Sequence, residues 1–469
     1  MKLLKYTSLL LSVCVSVTFA GQDYDDSLSQ DHTYEVSKPS SQGIDIGKGW
    51  LVLGDMRAGW VEYDYSNPAL SGKNQFHEKN RGLNKINKGH TDSQGFYVMP
   101  KISILSPKYS GFSTKATIAG ATDFGLNKEK DESRNFVFGS DTESFAILQE
   151  VYLSYEKDGH KVLIGREELT TPMIDTDDWY MLANSFELAY YDYTGFENIS
   201  IGGGYFYKMS GVWDSGAEGT EFHSMSDASF VADEDKKNAD DSGVITATFQ
   251  YNDNKNNNLQ IWNYYATDLY NTLFMQYDWT DELSDFSYDL GFQVIDFKEV
   301  GDLKDNDYTH IDYTIYSARF DVKFKNGFDI ATGIAKYTDG EGQGATLGAW
   351  GAYPYFANGM IFHFFEAGSL QNAASAKAQL GFDLAKLGLK NTWIGYRYTY
   401  FDLDSDYSFA KDSSGNQDFS KAQSSMSLNG VRISYAADNG IYFTGTYEHV
   451  DLDCEPTTYA IRLIGGYKF

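Results

Sequence analysis

From Trp50 to the C-terminus, apolar residues recur at every second position in runs of about ten. Phe286, Tyr288, Leu290, Phe292 and Val294 alternate with Ser287, Asp289, Gly291 and Gln293. Ile199, Ile201, Gly203, Tyr205 and Tyr207 follow the same rule, as do Tyr459, Ile461, Leu463, Gly465, Tyr467 and Phe469. A period of two is a strand with one apolar and one polar face. The apolar face is rich in aromatics: the chain holds 36 Tyr and 31 Phe but only 7 Pro. A soluble sandwich would bury that face against a second sheet. A membrane barrel turns it to lipid and keeps the polar face around water. In hydrocarbon the sheet must close, because an open edge leaves backbone groups unpaired.

The connections alternate in length. Short ones fall at 106–111, 156–160, 252–258, 280–284, 325–327, 386–390 and 437–440. Long ones fall at 66–94, 124–143, 168–184, 209–242, 298–308, 338–373 and 403–423. Short periplasmic turns and long outer loops are the outer-membrane pattern, and the Asn-Gly and Asp-Gly pairs suit tight hairpins. Counting residues 360–366 as a strand gives nineteen and puts the long segment 403–423 on the wrong side. Without it, eighteen strands remain and all long loops share one face. Residues 353–371 then belong to an outer loop expected to fold inward. Sixteen strands is the fallback, should the weak segments near Glu187 and Thr272 fail. The expected class is thus all-β, an antiparallel transmembrane barrel over residues 50–469.

Residues 1–20 read as a secretory signal, with Lys2 and Lys5 before a short apolar run and Ala20 at the cut. Residues 21–49 read as a periplasmic arm. Beyond the signal, Cys454 is the sole cysteine, so no intramolecular disulfide is expected. The chain ends on Phe469, an aromatic on the final alternating strand, as expected for recognition by outer-membrane assembly machinery. No later segment is apolar enough for a membrane helix.

The formal net charge of −28 excludes a nucleic-acid binder, which needs basic surface against phosphate. The acids concentrate in 209–242 and 124–143, read as solvated outer loops that attract cations or bridge through divalent ions to lipopolysaccharide. Six of eight arginines lie in strands. Arg319, Arg397, Arg432 and Arg462 alternate with apolar residues and are expected in the lumen, since Arg facing lipid at mid-membrane costs about 2–4 kcal/mol. Arg57 and Arg166 are added, with ambiguous phase. Such a row can pass an anion between guanidinium forks. The competing reading pairs these arginines with lumenal acids, for which Glu150, Asp289, Asp321, Asp383 and Glu448 are the candidates.

The stretch Gly165-Arg166-Glu167-Glu168-Leu169-Thr170-Thr171-Pro172-Met173-Ile174, with Asp178 and Asn184-Ser185-Phe186-Glu187, resembles the third-loop region of OprD-type outer-membrane porins. Ala349-Trp350, Pro354-Tyr355-Phe356 and the turn Gly381 to Leu389 support the resemblance, which runs from Trp50 to Phe469 and is nearest the divergent epsilonproteobacterial branch. It implies an eighteen-stranded barrel, an inward third loop, and a basic ladder guiding small carboxylate-bearing solutes, carried here onto Arg166, Arg319, Arg397, Arg432 and Arg462. The sequence departs from the family just after Asp178. Trp179, Tyr180 and Ala183 stand where the family has Arg and Pro, and with Asp175, Asp177 and Asp178 they give an acidic, aromatic constriction that would favour neutral, aromatic or cationic solutes.

Catalysis finds no motif: the eight His show no metal-binding spacing, and no G-x-S-x-G occurs. No cofactor or metal is expected. The functional expectation is a passive porin for small hydrophilic solutes, monomeric or trimeric, set in outer-membrane lipid. The rival is an adhesion or structural barrel with a plugged lumen.

Overall fold

The computed structural model describes residues 43–64, 92–127, 144–176, 181–210, 222–229, 231, 242–305, 310–362, 370–403, 424–452 and 458–469. Eighteen strands form the wall. They are β1 Trp50–Asp64, β2 Asp92–Leu105, β3 Phe112–Ala121, β4 Phe145–Lys157, β5 His160–Glu167 and β6 Ser185–Phe196. Next come β7 Ile199–Ser210, β8 Val244–Asn252, β9 Asn257–Ala266, β10 Tyr270–Glu282, β11 Phe286–Glu299 and β12 Asp312–Phe324. The last six are β13 Phe328–Tyr337, β14 Ala374–Asp383, β15 Thr392–Asp402, β16 Ser425–Ala436, β17 Ile441–Leu452 and β18 Thr458–Lys468. Every strand pairs antiparallel with its sequence neighbours. β1 pairs with β18 from Asp55↔Lys468 to Asp64↔Tyr459, so the sheet closes. The expected count of eighteen holds. The weak segments near Glu187 and Thr272 are β6 and β10. Met360, Ile361 and Phe362 are loop, as the parity argument required.

One short strand was not expected: Ile44–Gly47, inside the arm, folds back onto the start of β1. Two further residues, His223–Ser224, pair with the outer end of β7.

Alternation along each strand places the side chains. On β15, Tyr396 is 44% exposed on the outer face while Arg397 is 3% exposed inside. The exposed outer face carries Tyr, Phe, Ile and Leu around the barrel, including Ile118, Tyr205, Phe292, Tyr316, Ile334 and Leu463. Such a face belongs in lipid, and the pairing leaves no edge there. Among the described residues no helix is long and apolar enough to cross a membrane.

Two departures from plain alternation matter inside. In β4 the register slips between Thr117↔Glu150 and Ile118↔Leu148, leaving Gln149 unopposed. That bulge lets two consecutive polar residues, Gln149 and Glu150, both be buried. Towards their outer ends, β9 to β13 carry large apolar residues on the inner face too: Tyr264, Tyr270, Phe297, Tyr313 and Tyr337 are at most 1% exposed. The sequence reading assigned a polar inner face throughout. Inward loops cover these residues, so they form a core inside the barrel.

Candidate functional site

Two outer loops enter the lumen and meet. The third, described over residues 168–176 and 181–184, turns sharply at Thr171, whose Oγ1 accepts from the Ile174 amide while its own amide donates to Ile174 O at 2.7 Å. Its neck closes where Asn184 N donates to Thr176 O. Tyr264 on β9 donates to Thr171 Oγ1 at 3.0 Å and tethers the turn to the wall. The seventh outer loop, counting the short 267–269 link between β9 and β10, is described over residues 338–362 and 370–373 and enters from the other side. Asp175 N donates to Trp350 O at 2.9 Å, and Ile174 bridges Gly351. Trp350 stacks on Tyr270 and donates through its indole N–H to Met225 O of the fourth loop. The inward third loop and the inward aromatic segment of the seventh were both expected. Their mutual contact has no local signature in the sequence.

Arg319, Arg397, Arg432 and Arg462 are buried on the lumen side, as their phase indicated. Arg57 joins them: β1 runs in unbroken register against β2 and puts Arg57 inside and Met56 outside. Arg166 requires a correction. It shares parity with Ile164, which is 56% exposed on the outer face. Its guanidinium bonds Glu187 Oε1 from Nε and Nη2 at 2.9 and 2.6 Å and lies 3.9 Å from the Phe222 ring centroid. Apolar residues on both sides, Leu163 and Ile164, had left the phase unreadable. Its place at the outer end of β5, where a lipid-facing charge costs least, makes the position tolerable.

The lumenal arginines have defined partners. Arg319 bonds Asp278 at 2.8 Å and Asp289 at 3.0 Å, with Asp321 at 3.8 Å, and it packs over the Phe356 ring. Arg397 donates to Gln379 Oε1 and to Gly359 O, each at 2.9 Å. Arg432 donates to Thr446 Oγ1 and Met360 O, each at 3.1 Å. Arg57 bonds Asp55 at 3.1 Å and reaches Met181 O of the third loop.

The expected acids divide by role. Asp289 and Asp321 surround Arg319. Glu150 meets a lysine instead, accepting from Lys115 at 2.9 Å and from Thr117 at 2.6 Å. Asp383 sits at the periplasmic end and caps the short turn Leu384–Leu387 by accepting from Ala385 N. Glu448 accepts three amides of the seventh loop. Asp175 is turned into its own loop, accepting from Thr170 Oγ1 and Thr176 N. Asp177, Asp178, Trp179 and Tyr180 lie outside the described residues, as do 211–221 and 232–241, which hold most of the expected acidic stretch of 209–242.

The sequence reading passed over the lumenal lysines. Lys101, Lys115, Lys377 and Lys468 all stand on inward positions. Their alternation is visible in the sequence, for example Lys115 between Thr114 and Ala116. Lys101 pairs with Glu168 at the base of the third loop. Burial raises the Glu168 carboxyl above its ordinary range, and Lys101 opposes that rise. Around this pair, Arg57, Gln149 and residues Met181 to Ala183 line a small crevice between wall and loop.

This architecture matches solved structures. OccK9 (OpdG) of Pseudomonas aeruginosa superposes with a TM-score of 0.69 at 12% identity, covering 90% of this chain and 98% of that one. The fold is that of the OprD-type porins. A BenF-like porin from Pseudomonas fluorescens Pf-5 gives 0.67 at 14% identity, over 90% and 99% of the two chains. OpdK of P. aeruginosa, solved with vanillate, gives 0.66 at 12%, over 89% and 98%. No family model matches the sequence, and no curated protein matches it. The OprD-type barrel is a multi-pass outer-membrane fold, and the apolar outer face of this chain suits it.

Proposed function

We propose that this OprD-type barrel is a passive outer-membrane channel for small hydrophilic solutes, with a preference for carboxylate-bearing ones. The observation that carries the reading is the charged lumenal wall on β1, β2, β3 and β18, where Arg57, Lys101, Lys115, Arg462 and Lys468 stand on inward positions and Arg57 and Lys101 bond the inward third loop. Fixed charge at a constriction selects by field and hydrogen bonding, and Arg grips carboxylates through its fork. That OpdK was solved with vanillate, a carboxylate, supports the class of solute. The channel does no chemistry. Monomer or trimer, contacts with lipopolysaccharide, and capture of Phe469 by the assembly machinery belong to the same proposal.

A second reading has its own support: the third, fourth and seventh loops pack an apolar core inside the outer half, with Ile174, Leu347, Ala349 and Phe362 fully buried. A barrel plugged there would act through its outer loops. Planar-bilayer recording separates the two. The channel reading expects discrete conductance steps and, across a salt gradient, a reversal potential of the sign for anions. It expects Arg57→Ala with Lys101→Ala to move that potential towards cations at low salt, where screening is weak. Absence of steps from folded protein sinks it.

A further inference from the structure

Residues 354–362 of the seventh loop lie across β11 and β14 to β17, and each of these strands gives a polar side chain to the loop's main chain. Gln293 Nε2 on β11 donates to Pro354 O at 2.8 Å. Ser375 Oγ on β14 donates to Ala357 O at 3.0 Å, and Thr399 Oγ1 on β15 to Asn358 O at 2.9 Å. Arg397 on β15 takes Gly359 O and Arg432 on β16 takes Met360 O. The polarity then reverses. Glu448 on β17, fully buried, accepts the amides of Met360, Ile361 and Phe362 at 2.6, 2.6 and 2.7 Å. On the wall between β12 and β14, Gly333 makes room: a Cβ there would meet Phe356 O at 2.5 Å.

The wall thus reads a peptide backbone, carbonyl by carbonyl, and then grips three amides with one carboxylate. Charge-assisted bonds to ionised groups are about twice as strong as neutral ones, so Arg397, Arg432 and Glu448 dominate the hold. Two of the arginines read from the sequence as an anion path therefore bond peptide carbonyls.

We propose that residues 354–362 are a strap that occupies the wall at Arg397 and Arg432 as a self-ligand. Glu448 is its positioning residue, and release of the strap frees Arg397 and Arg432 for carboxylate-bearing solutes. The solute half rests on the channel reading; the strap half does not. Limited chymotrypsin digestion of folded protein tests the strap, since Tyr355, Phe356 and Phe362 are cleavage sites within it. Folding is checked by heat-modifiable gel migration. Glu448→Ala is expected to speed cleavage there roughly tenfold or more, because three amides lose their acceptor. Glu448→Gln, nearly isosteric and also uncharged, keeps one acceptor oxygen and should be cleaved at an intermediate rate. It serves as the test should the alanine variant fail to fold. Bilayer recording then reads the solute half: Glu448→Ala should shift the reversal potential towards anions more than Glu448→Gln, although both remove the same charge. A strap equally protected in wild type and the folded variants overturns the proposal, whatever the currents. A released strap with equal shifts in the two variants overturns its solute half. A released strap with no current from any protein supports the strap and overturns the channel reading.

Discussion

Arg319 shows how much a single lumenal charge depends on its neighbours. Its side chain is fully buried, held by Asp278 and Asp289. Gly291, its register partner on β11, carries no Cβ, which would otherwise fall 2.6 Å from Arg319 Nε. Removing one member of a buried ionic cluster costs more than the cluster contributes, because the other charges stay buried without compensation. Arg319→Met is therefore expected to lower the stability to urea unfolding by about 3 kcal/mol. Adding Asp278→Asn and Asp289→Asn should recover a good part of that loss. A triple variant no more stable than Arg319→Met would mean that the acids do not drive the penalty. At this scale the sequence was most informative where a residue had apolar neighbours on one face only. Arg397 between Tyr396 and Tyr398 was readable; Arg166 between Gly165 and Glu167, with Leu163 and Ile164 both apolar, was not.

Among the elements, the periplasmic turn joining β8 to β9 is written locally. Asp253 accepts the amides of Lys255, Asn256 and Asn257 at 2.9, 3.0 and 2.9 Å, so one side chain closes the turn. Those backbone amides, with the side chain of Asn257, hold its carboxyl down at about 2. A carboxyl depressed in the folded state contributes stability above its ordinary range, and that contribution is lost as pH falls through its folded value. Asp253→Ala should accordingly be less stable than wild type at neutral pH. The gap should narrow between about pH 4 and about pH 2 and vanish below. Urea titrations at a series of pH values check this, and a gap that persists at the acid end argues against the mechanism. The inward loops are the opposite case. Thr171 and Ile174 make a local turn, but their seat on Tyr264 spans 93 residues, and the strap's hold on Glu448 spans 86 to 88. No short-range pattern encodes such contacts.

For the whole molecule, stability rests on closure, since eighteen paired strands leave no edge in the membrane. The seam is β1 against β18, finished by Gly54 N bonding Phe469 O at 2.9 Å and Phe469 N bonding Gly54 O at 3.0 Å. The Phe469 ring covers Gly54 so closely that a Cβ there would sit 2.2 Å from it. Gly54→Val should displace the ring and cost about 1–3 kcal/mol, read as a lower temperature for loss of the folded gel band. Phe469→Ala in the same chain should remove most of the added penalty, because the clash is then gone; a simply additive pair would show that the ring is not the obstacle.

The sequence by itself determined the wall. A period of two fixes which side chains face lipid, parity fixes eighteen strands, and turn residues fix the short ends, because each is a local property of consecutive residues. Only the tertiary structure decided what fills the lumen. Arg397 and Arg432 look alike whether they face water or a carbonyl, and Glu448 looks like any inward acid. Their partners arrive from a loop roughly 40 to 90 residues away. The net charge of −28 likewise says nothing of the pore, since the charges that meet a solute are those left over once the loops have folded in.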